Sequence, residues 1–456
     1  MEQTRKLTKN ETHAILQSLR AGTVPKVGLK YVVVGREEEI KQIHKELHNV
    51  KQGTSGFKII MADYGNGKTF MLRLARGFAL EENFVVADAD FNPERRFTGT
   101  SYGLNLYREL IKNLATPVRS DNAIESIIEK WLSNVQSAAQ KKLGMSEVKY
   151  DDQVFVKEVS RQIDEQLTHV EELSGGFSFR EVIKRYYTGY ARDNDDLRRS
   201  ALKWLRGEYS TRTDAKRDLG VRDIITDDNW FDYIKLINRF VKGLGYSGLV
   251  VILDEAVSLY KISHTGSREK NYEALLNIYN DTTQGNIDSL YFIIGDTIKG
   301  VQDDRRGLYS YEALKSRLKT NPFEDSKYKD YSQNVIALPG LKAEHYYVLL
   351  KKLKLLHDGY CGSELKLSDS QLQSFVLGAF RRPGASQNLS SREVIKRFLD
   401  AINILAQNPG MPVEKVLTDA TTKERSADDI KLAKSDEELE PEQTVQADPM
   451  SRFEKS

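Results

Sequence analysis

Two periodicities of apolar residues alternate along this chain and outline its architecture. Gly56 to Asp63 (GFKIIMAD), Phe84 to Asp88 (FVVAD), Leu249 to Leu253, Leu290 to Ile294 and Val335 to Leu338 are short apolar runs without polar alternation. Such runs are the mark of strands buried on both faces. Between them lie helical patterns over Glu11 to Arg20, a stretch ending near Val50, Thr69 to Ala79, Tyr102 to Leu114 and Asn271 to Tyr279. Trp230, Ile234, Ile237, Val241 and Leu244 follow a 4-3-4-3 spacing, which puts one apolar stripe on a helix. Five buried strands alternating with helices imply an α/β fold with a parallel sheet covered on both faces.

Three stretches depart from that alternation. From about 118 to 228 the chain is charged and helix-forming with no clear strand, which reads as a helical insertion. From Lys342 to about Gln407 it is helical again, with Leu349, Leu350, Leu353 and Leu356 on one face, which reads as a small lid. After Pro409 it turns polar and acidic with almost no aromatic residue, a composition expected to stay disordered. Too little chain then remains past the lid for a winged-helix DNA reader.

Composition narrows the class. The 456 residues are 39% hydrophobic and 29% charged, without an apolar run that could span a bilayer. The opening residues, MEQTRKLTKNETHAILQSLR, lack the apolar core of a secretion signal, and the single cysteine, Cys361, fits a reducing cytoplasm. Residues 421 to 456 carry −4 of a net charge of +2, so the remainder is a mildly basic body at +6. That excess permits nucleic-acid binding without demanding it.

Chemistry enters where the first strand meets the following helix. Ala62-Asp63-Tyr64-Gly65-Asn66-Gly67-Lys68-Thr69 fits the phosphate loop GxxxxGK[ST], with Ala62 in place of the first glycine, and Phe70 follows it. Backbone N–H groups of such a loop wrap phosphates, Lys68 reaches the β and γ oxygens, and the Thr69 hydroxyl holds magnesium. The strand Leu249 to Leu253 runs into adjacent carboxylates, Asp254 and Glu255. Asp254 suits the magnesium ion of bound ATP, for which one carboxylate suffices, and Glu255 suits activation of the attacking water. GLGYSG, Gly243 to Gly248, fits a dinucleotide-binding pattern but precedes a strand and opens no helix, so it is discounted. His44 and His48 stand in the order HKELH, which is not a zinc motif.

Phosphate loop, DE-ended strand and helical lid together resemble the AAA+ superfamily of P-loop ATPases of the ASCE kind. The resemblance extends to Val34 to Ile40 (VGREEEI), similar to the N-terminal box beside adenine, with Gly35 and Arg36. It extends to Asp296 and Thr297 at the place of a γ-phosphate sensor, and to Arg392 as a second sensor. Glu312 to Leu318 (EALKSRL) is similar to the box whose arginine, here Arg317, reaches a neighbouring subunit's nucleotide; Arg305 and Arg306 are its rivals. Ser391 stands where that pattern has proline before the sensor arginine. More narrowly, GLKYVVVGREEEI, DDRRGLYSYEALKSRL and SREVIKRFLDAINILAQNPG resemble the BrxD-type ATP-binding proteins of bacteriophage exclusion (BREX) systems, over about residues 15 to 410.

The resemblance implies an ATPase in antiviral defence, acting as a homo-oligomer on DNA or DNA-bound defence proteins, with ATP and Mg²⁺ as cofactors and no membrane. It divides the chain into an N-terminal helix and adenine-side box (1–50), two parts of the ATPase core (51–117 and 229–340), the helical insertion (118–228), the lid (341–410) and an acidic tail (411–456). Within the insertion, Arg180, Lys184, Arg185, Tyr186, Tyr187, Tyr190, Arg198, Arg199, Lys203 and Trp204 interleave cations with aromatics. They either bind nucleic acid or pack the insertion's own core with their charges in water.

Overall fold

The computed structural model describes residues 7–145, 152–324, 328–381 and 390–422. The chain opens with α1 (Lys9–Arg20), whose Thr8 and Glu11 form a reciprocal cap, then α2 (Leu29–Val32) and α3 (Glu37–Lys51). β1 (Gly56–Met61) leads to α4 (Lys68–Glu81), and β2 (Val85–Asp90) to α5 (Tyr102–Lys112). Five helices follow: α6 (Ile124–Leu143), α7 (Gln153–Glu171), α8 (Gly176–Ala191), α9 (Asp195–Leu205) and α10 (Arg212–Leu219). α11 (Trp230–Gly243) precedes β3 (Leu249–Asp254), and α12 (Val257–Tyr260) and α13 (Thr265–Thr283) precede β4 (Leu290–Asp296). After α14 (Ile298–Gln302) and α15 (Glu312–Leu318) comes β5 (Val335–Ala337). The chain ends in α16 (Ala343–Cys361), α17 (Asp369–Phe380), α18 (Ser391–Gln407) and α19 (Val413–Thr422).

The five strands form one sheet in the order β2-β3-β4-β1-β5, and every pair is parallel. Parallel strands all end on the same edge, so the phosphate loop after β1, Glu255 after β3 and Asp296 closing β4 are delivered together. Alternate residues feed opposite faces, as the pleat requires. Ile60, Val86, Ile252 and Ile293 pack on α3 and α4 through Ile43, Leu47, Met71 and Phe78. Ile59, Ala87, Val251 and Phe292 join a larger core that runs on through Trp131, Phe155, Phe179 and Trp204 of α6 to α9. Helices 124–219 therefore share one continuous core with the sheet.

A third cluster belongs to the lid. Leu350 and Leu353 of α16, Phe375 of α17 and Phe398 and Ile402 of α18 pack together with Ile15, Leu16 and Leu19 of α1 and with Val32 and Val34. The N-terminal helix thus docks on the lid, fastened by Arg20 to Asp400 at 2.7 Å, whereas α3 packs against the sheet.

The acidic tail needs a correction at its start. Residues 413–422 form α19, which buries Val416, Leu417 and Thr421. Val413, Val416, Leu417 and Ala420 recur at i, i+3, i+4 and i+7, an apolar stripe hidden by the polar average of the stretch, and all four join the lid cluster. Residues 423–456 of that tail lie outside the described residues. Among the described residues no helix is long and apolar enough to cross a membrane, and no group of three or more His, Cys, Asp or Glu is placed to hold a metal.

Candidate functional site

The turn after β1 is built for close approach. Gly67 caps α4 in a left-handed conformation at φ +92°, and Gly65, at φ +77°, lies so near the lid that an added Cβ would stand 2.5 Å from Cβ of Ser390. The N-terminus of α4 points its free N–H groups into this turn, and its dipole favours an anion there. Ala62 donates its N–H to the Asp296 carbonyl at 3.1 Å, which ties the loop to β4.

Lys68, the first residue of α4, is buried and ion-paired, with Nζ 3.2 Å from Asp254 Oδ1 and 3.8 Å from Glu255 Oε1, contacts looser than those of a fully engaged lysine. Desolvation by itself would lower its pKa. Asp254, Glu255 and Asp296 outweigh that burial and hold it above the ordinary lysine value, so its charge is kept. Asn66 Oδ1, in the same loop, is buried without a hydrogen-bond partner among the described residues. An unsatisfied group of this kind would be costly in a purely structural turn. The Thr69 hydroxyl donates to Asp254 Oδ2 at 2.6 Å, and Glu255 N donates to Asp254 Oδ1 at 2.7 Å.

Glu255 has φ +56°, a left-handed conformation that costs a non-glycine residue roughly 1–2 kcal/mol. The strain sets its half-exposed carboxylate against the cleft, in contrast to the buried Asp254 beside it. Asp296 is fully buried, and desolvation pushes its carboxyl up to about 7, against the opposing pull of Lys68 and the Thr297 N–H; Glu255 and Asp254 raise it further. Its carboxylate accepts from Thr297 N at 2.6 Å, and Thr297, not Asp296, lines the cleft.

That cleft lies between the phosphate loop and the lid and is open to solvent, with about 1050 Å³ of empty space when the solvent at its mouth is counted. Its polar end is the loop itself, Ala62 to Thr69, with Phe70, Glu255 and Thr297. Its apolar end is made by Leu19, Val24, Val32, Val34, Leu349 and Ile395, so α1, the α2 region and the lid wall one compartment. Arg392 lines it from the start of α18, its aliphatic stem against Gly22. Ser391 also lines it, with its hydroxyl 2.9 Å from that of the buried Tyr346.

Arg36 faces the cleft, but its guanidinium is buried and committed elsewhere. It donates to the carbonyls of Asn66 at 3.2 Å and Pro339 at 2.7 Å and pairs with Glu39 at 3.5 Å; desolvation nonetheless lowers its pKa. It is a strut between the phosphate loop and the linker into the lid. Gly35, at φ +61°, does not line the cleft; an added Cβ there would stand 2.5 Å from the His345 ring.

The arginine candidates part company. Arg317 is exposed on α15, away from the cleft, with one contact to the Ala313 carbonyl at 2.8 Å. Arg305 is exposed, whereas Arg306 donates to the carbonyls of Tyr260 and Ile262 at 3.2 Å each and covers the Tyr260 ring, a structural use.

Sequence reading placed Val34 beside adenine but missed the rest of that apolar wall, Leu19, Val24 and Val32. The run Val32-Val33-Val34 before the glycine was its visible signal. It also missed Asp90, which closes β2 in register with Asp254 and whose carboxyl is pushed up by desolvation and by Asp254 and Glu255. Most of the mixed basic and aromatic run resolves toward the core: Tyr186, Tyr187 and Trp204 are buried, Arg180 and Lys184 pair with Asp164, and Arg198 and Arg199 pair with Asp195 and Asp196, whereas Tyr190 is exposed.

Comparison with known proteins agrees with this geometry. The family model described as BREX system ATP-binding protein BrxC/D matches residues 7–421. No curated protein matches the chain.

Proposed function

From the premise that the chain belongs to the BrxC/D family of BREX system ATP-binding proteins, we propose that it is a magnesium-dependent ATPase of the AAA+ kind serving phage exclusion. In this reading it works as a homo-oligomer on DNA or on a DNA-bound defence partner. One observation carries the hydrolytic part: a strained glutamate, Glu255, held at the cleft beside a buried lysine and an Asp254–Thr69 pair. Strain of this kind persists where surrounding structure enforces it, and catalytic sites are its common setting. The additional strand β4 between β1 and β3 supports the ASCE assignment.

Each residue has a definite task. The loop amides and Lys68 bind the phosphates, and the lone acceptor of Asn66 awaits a donor from ligand or water. Glu255 orients and deprotonates the attacking water. Thr69 and Asp254 would hold Mg²⁺, and their hydroxyl-plus-carboxylate set suits an ion that takes its other ligands from phosphate and water. Bound magnesium supplies charge neutralisation on the β and γ phosphates. Asp296, with its pKa raised to about 7, retains a proton over part of the neutral range and so does not repel the nucleotide as a fixed anion would. Val24, Val32, Val34 and Ile395 would receive the adenine, and Arg392, lining the cleft from the lid, would face the phosphates.

Arg317, exposed and remote from its own cleft, suits delivery to a neighbour's nucleotide, where such a cation raises phosphoryl-transfer rates by roughly 10³ to 10⁵. Steady-state hydrolysis against protein concentration, with and without duplex DNA, tests this. Specific activity rises with concentration in the wild type and stays at the dilute basal level in Arg317→Ala, while ATP affinity is unchanged. Activity independent of concentration and of Arg317 refutes the trans arrangement. The second reading is a slow-turnover switch that recruits partners in its ATP state; tight ATP binding without turnover under any condition would establish it.

A further inference from the structure

We infer that α9, the turn 206–211 and α10 form a helix-turn-helix surface that binds double-stranded DNA through Arg212 and Lys216 of α10. The inference rests on the DNA arm of the function proposed above and gives it a location.

The unit has two packed helices joined by a glycine-bearing connection, the order of elements such a reader uses. α9 (Asp195–Leu205) and α10 (Arg212–Leu219) are joined by a short turn containing Gly207 at φ +70°, and α10 opens on a Thr211 cap whose hydroxyl accepts from Asp214 N at 3.1 Å. The inner faces are closed by Ala201, Leu202, Trp204 and Leu205 against Ala215 and Leu219. The turn is also anchored from outside: Tyr107 of α5 donates its hydroxyl to the Leu205 carbonyl at 2.7 Å, and Arg108 Nε donates to the Gly207 carbonyl at 2.8 Å. α5 leaves β2, whose last residue, Asp90, adjoins Asp254, so the unit is seated on the ATPase core.

The outer face of α10 is what distinguishes this unit from an ordinary helical hairpin. Its acidic residues are already matched: Asp214 and Asp218 both pair with Arg217 at 2.9 Å, and Asp218 also accepts from the Tyr209 hydroxyl at 2.9 Å. Arg212 and Lys216 are exposed and make no ion pair among the described residues, in contrast to the paired cations of α8 and α9. Four residues apart, they share one face of the first turns of the second helix, the part that enters the major groove in this motif. Duplex is favoured over single-stranded DNA because the aromatics within and beneath the unit, Tyr186, Tyr187, Trp204 and Tyr209, are buried, and the exposed Tyr190 lies at the end of α8, outside it.

The test uses the full-length chain, a fluorescent DNA duplex and a single strand of the same length, titrated across a salt series. Arg212→Ala/Lys216→Ala should bind duplex at least about tenfold more weakly, with the slope of log K against log salt reduced by about 2, and should bind ATP as the wild type does. Arg199→Ala, which removes a cation already paired with Asp196, serves as the control and should change duplex affinity little. Wild-type duplex affinity in the double variant overturns the α10 site while leaving DNA binding elsewhere in force. Failure of the wild type to bind duplex overturns the inference and direct DNA contact together, and preference for the single strand overturns the groove-reading geometry. None of these outcomes touches the ATPase reading, which the hydrolysis assay decides on its own.

Discussion

Two buried lysines lie ten positions apart near β1, and their surroundings differ in kind. Lys58, inside the strand, is 1% exposed and fully engaged: it pairs with Glu46 at 2.6 Å and donates to the carbonyls of Tyr331 and Gln333. Glu46 is itself held by Gln42 at 2.7 Å and by the Tyr291 hydroxyl. Lys68, at the strand's functional end, is nearly as buried and sits beside three carboxylates, but its nearest contact is Asp254 at 3.2 Å, and among the described residues it donates to no carbonyl. Even the pKa directions differ: desolvation prevails at Lys58 and lowers it, whereas the carboxylates prevail at Lys68 and raise it. A lysine that fastens a fold has its donors filled at short range; one placed for an anion is held by looser carboxylate pairs.

That contrast can be broken at either end. The largest effect is expected at Glu46→Ala, which strands the Lys58 charge and should cost about 3–5 kcal/mol of unfolding free energy by denaturant titration, with ATP affinity of the folded protein retained. Lys68→Ala should do the reverse: a smaller stability loss, but ATP binding weakened at least about a hundredfold by calorimetry, since charge-assisted bonds to the phosphates are lost. If both variants lose stability alike and binding alike, the distinction between the two lysines fails.

The subtlest effect belongs to Asp296. Its carboxyl is raised from the ordinary aspartate value of 3.8 to about 7 in the folded state, so between those values the native protein binds more protons than the unfolded chain. Stability from this group is therefore present at low pH and lost as pH rises from about 4 to 7. Asp296→Asn should flatten that decline and be relatively more stable at pH 8, measured as unfolding midpoints across pH. An unchanged pH profile would show that the carboxyl titrates normally.

The strands were the most legible part of this chain, because each is dominated by apolar residues, interrupted in β1 by Lys58 and in β2 by Asp88, and parallel sheets leave no polar face to blur the pattern. The loop Ala62 to Thr69 and the Asp254-Glu255 pair were legible for a related reason, since their chemistry is contiguous in sequence. What sequence did not reveal is non-local. The docking of α1 on the lid joins Arg20 to Asp400, and the apolar wall of the cleft draws Leu19, Val34 and Ile395 from opposite ends of the chain. Arg36 carries the character of a box residue in sequence, yet its role as a strut follows from carbonyls at Asn66 and Pro339. α19 was hidden because four apolar residues were averaged into a charged stretch.

The central claim is that Glu255, strained into the cleft, turns a nucleotide-binding site into a hydrolytic one. A single-turnover measurement with labelled ATP and excess protein, comparing wild type with Glu255→Gln, tests it most directly. The account predicts that the variant binds ATP with affinity close to the wild type's and releases no phosphate on the timescale of wild-type turnover. Phosphate release by Glu255→Gln at the wild-type rate would contradict it and require another base at the strand ends.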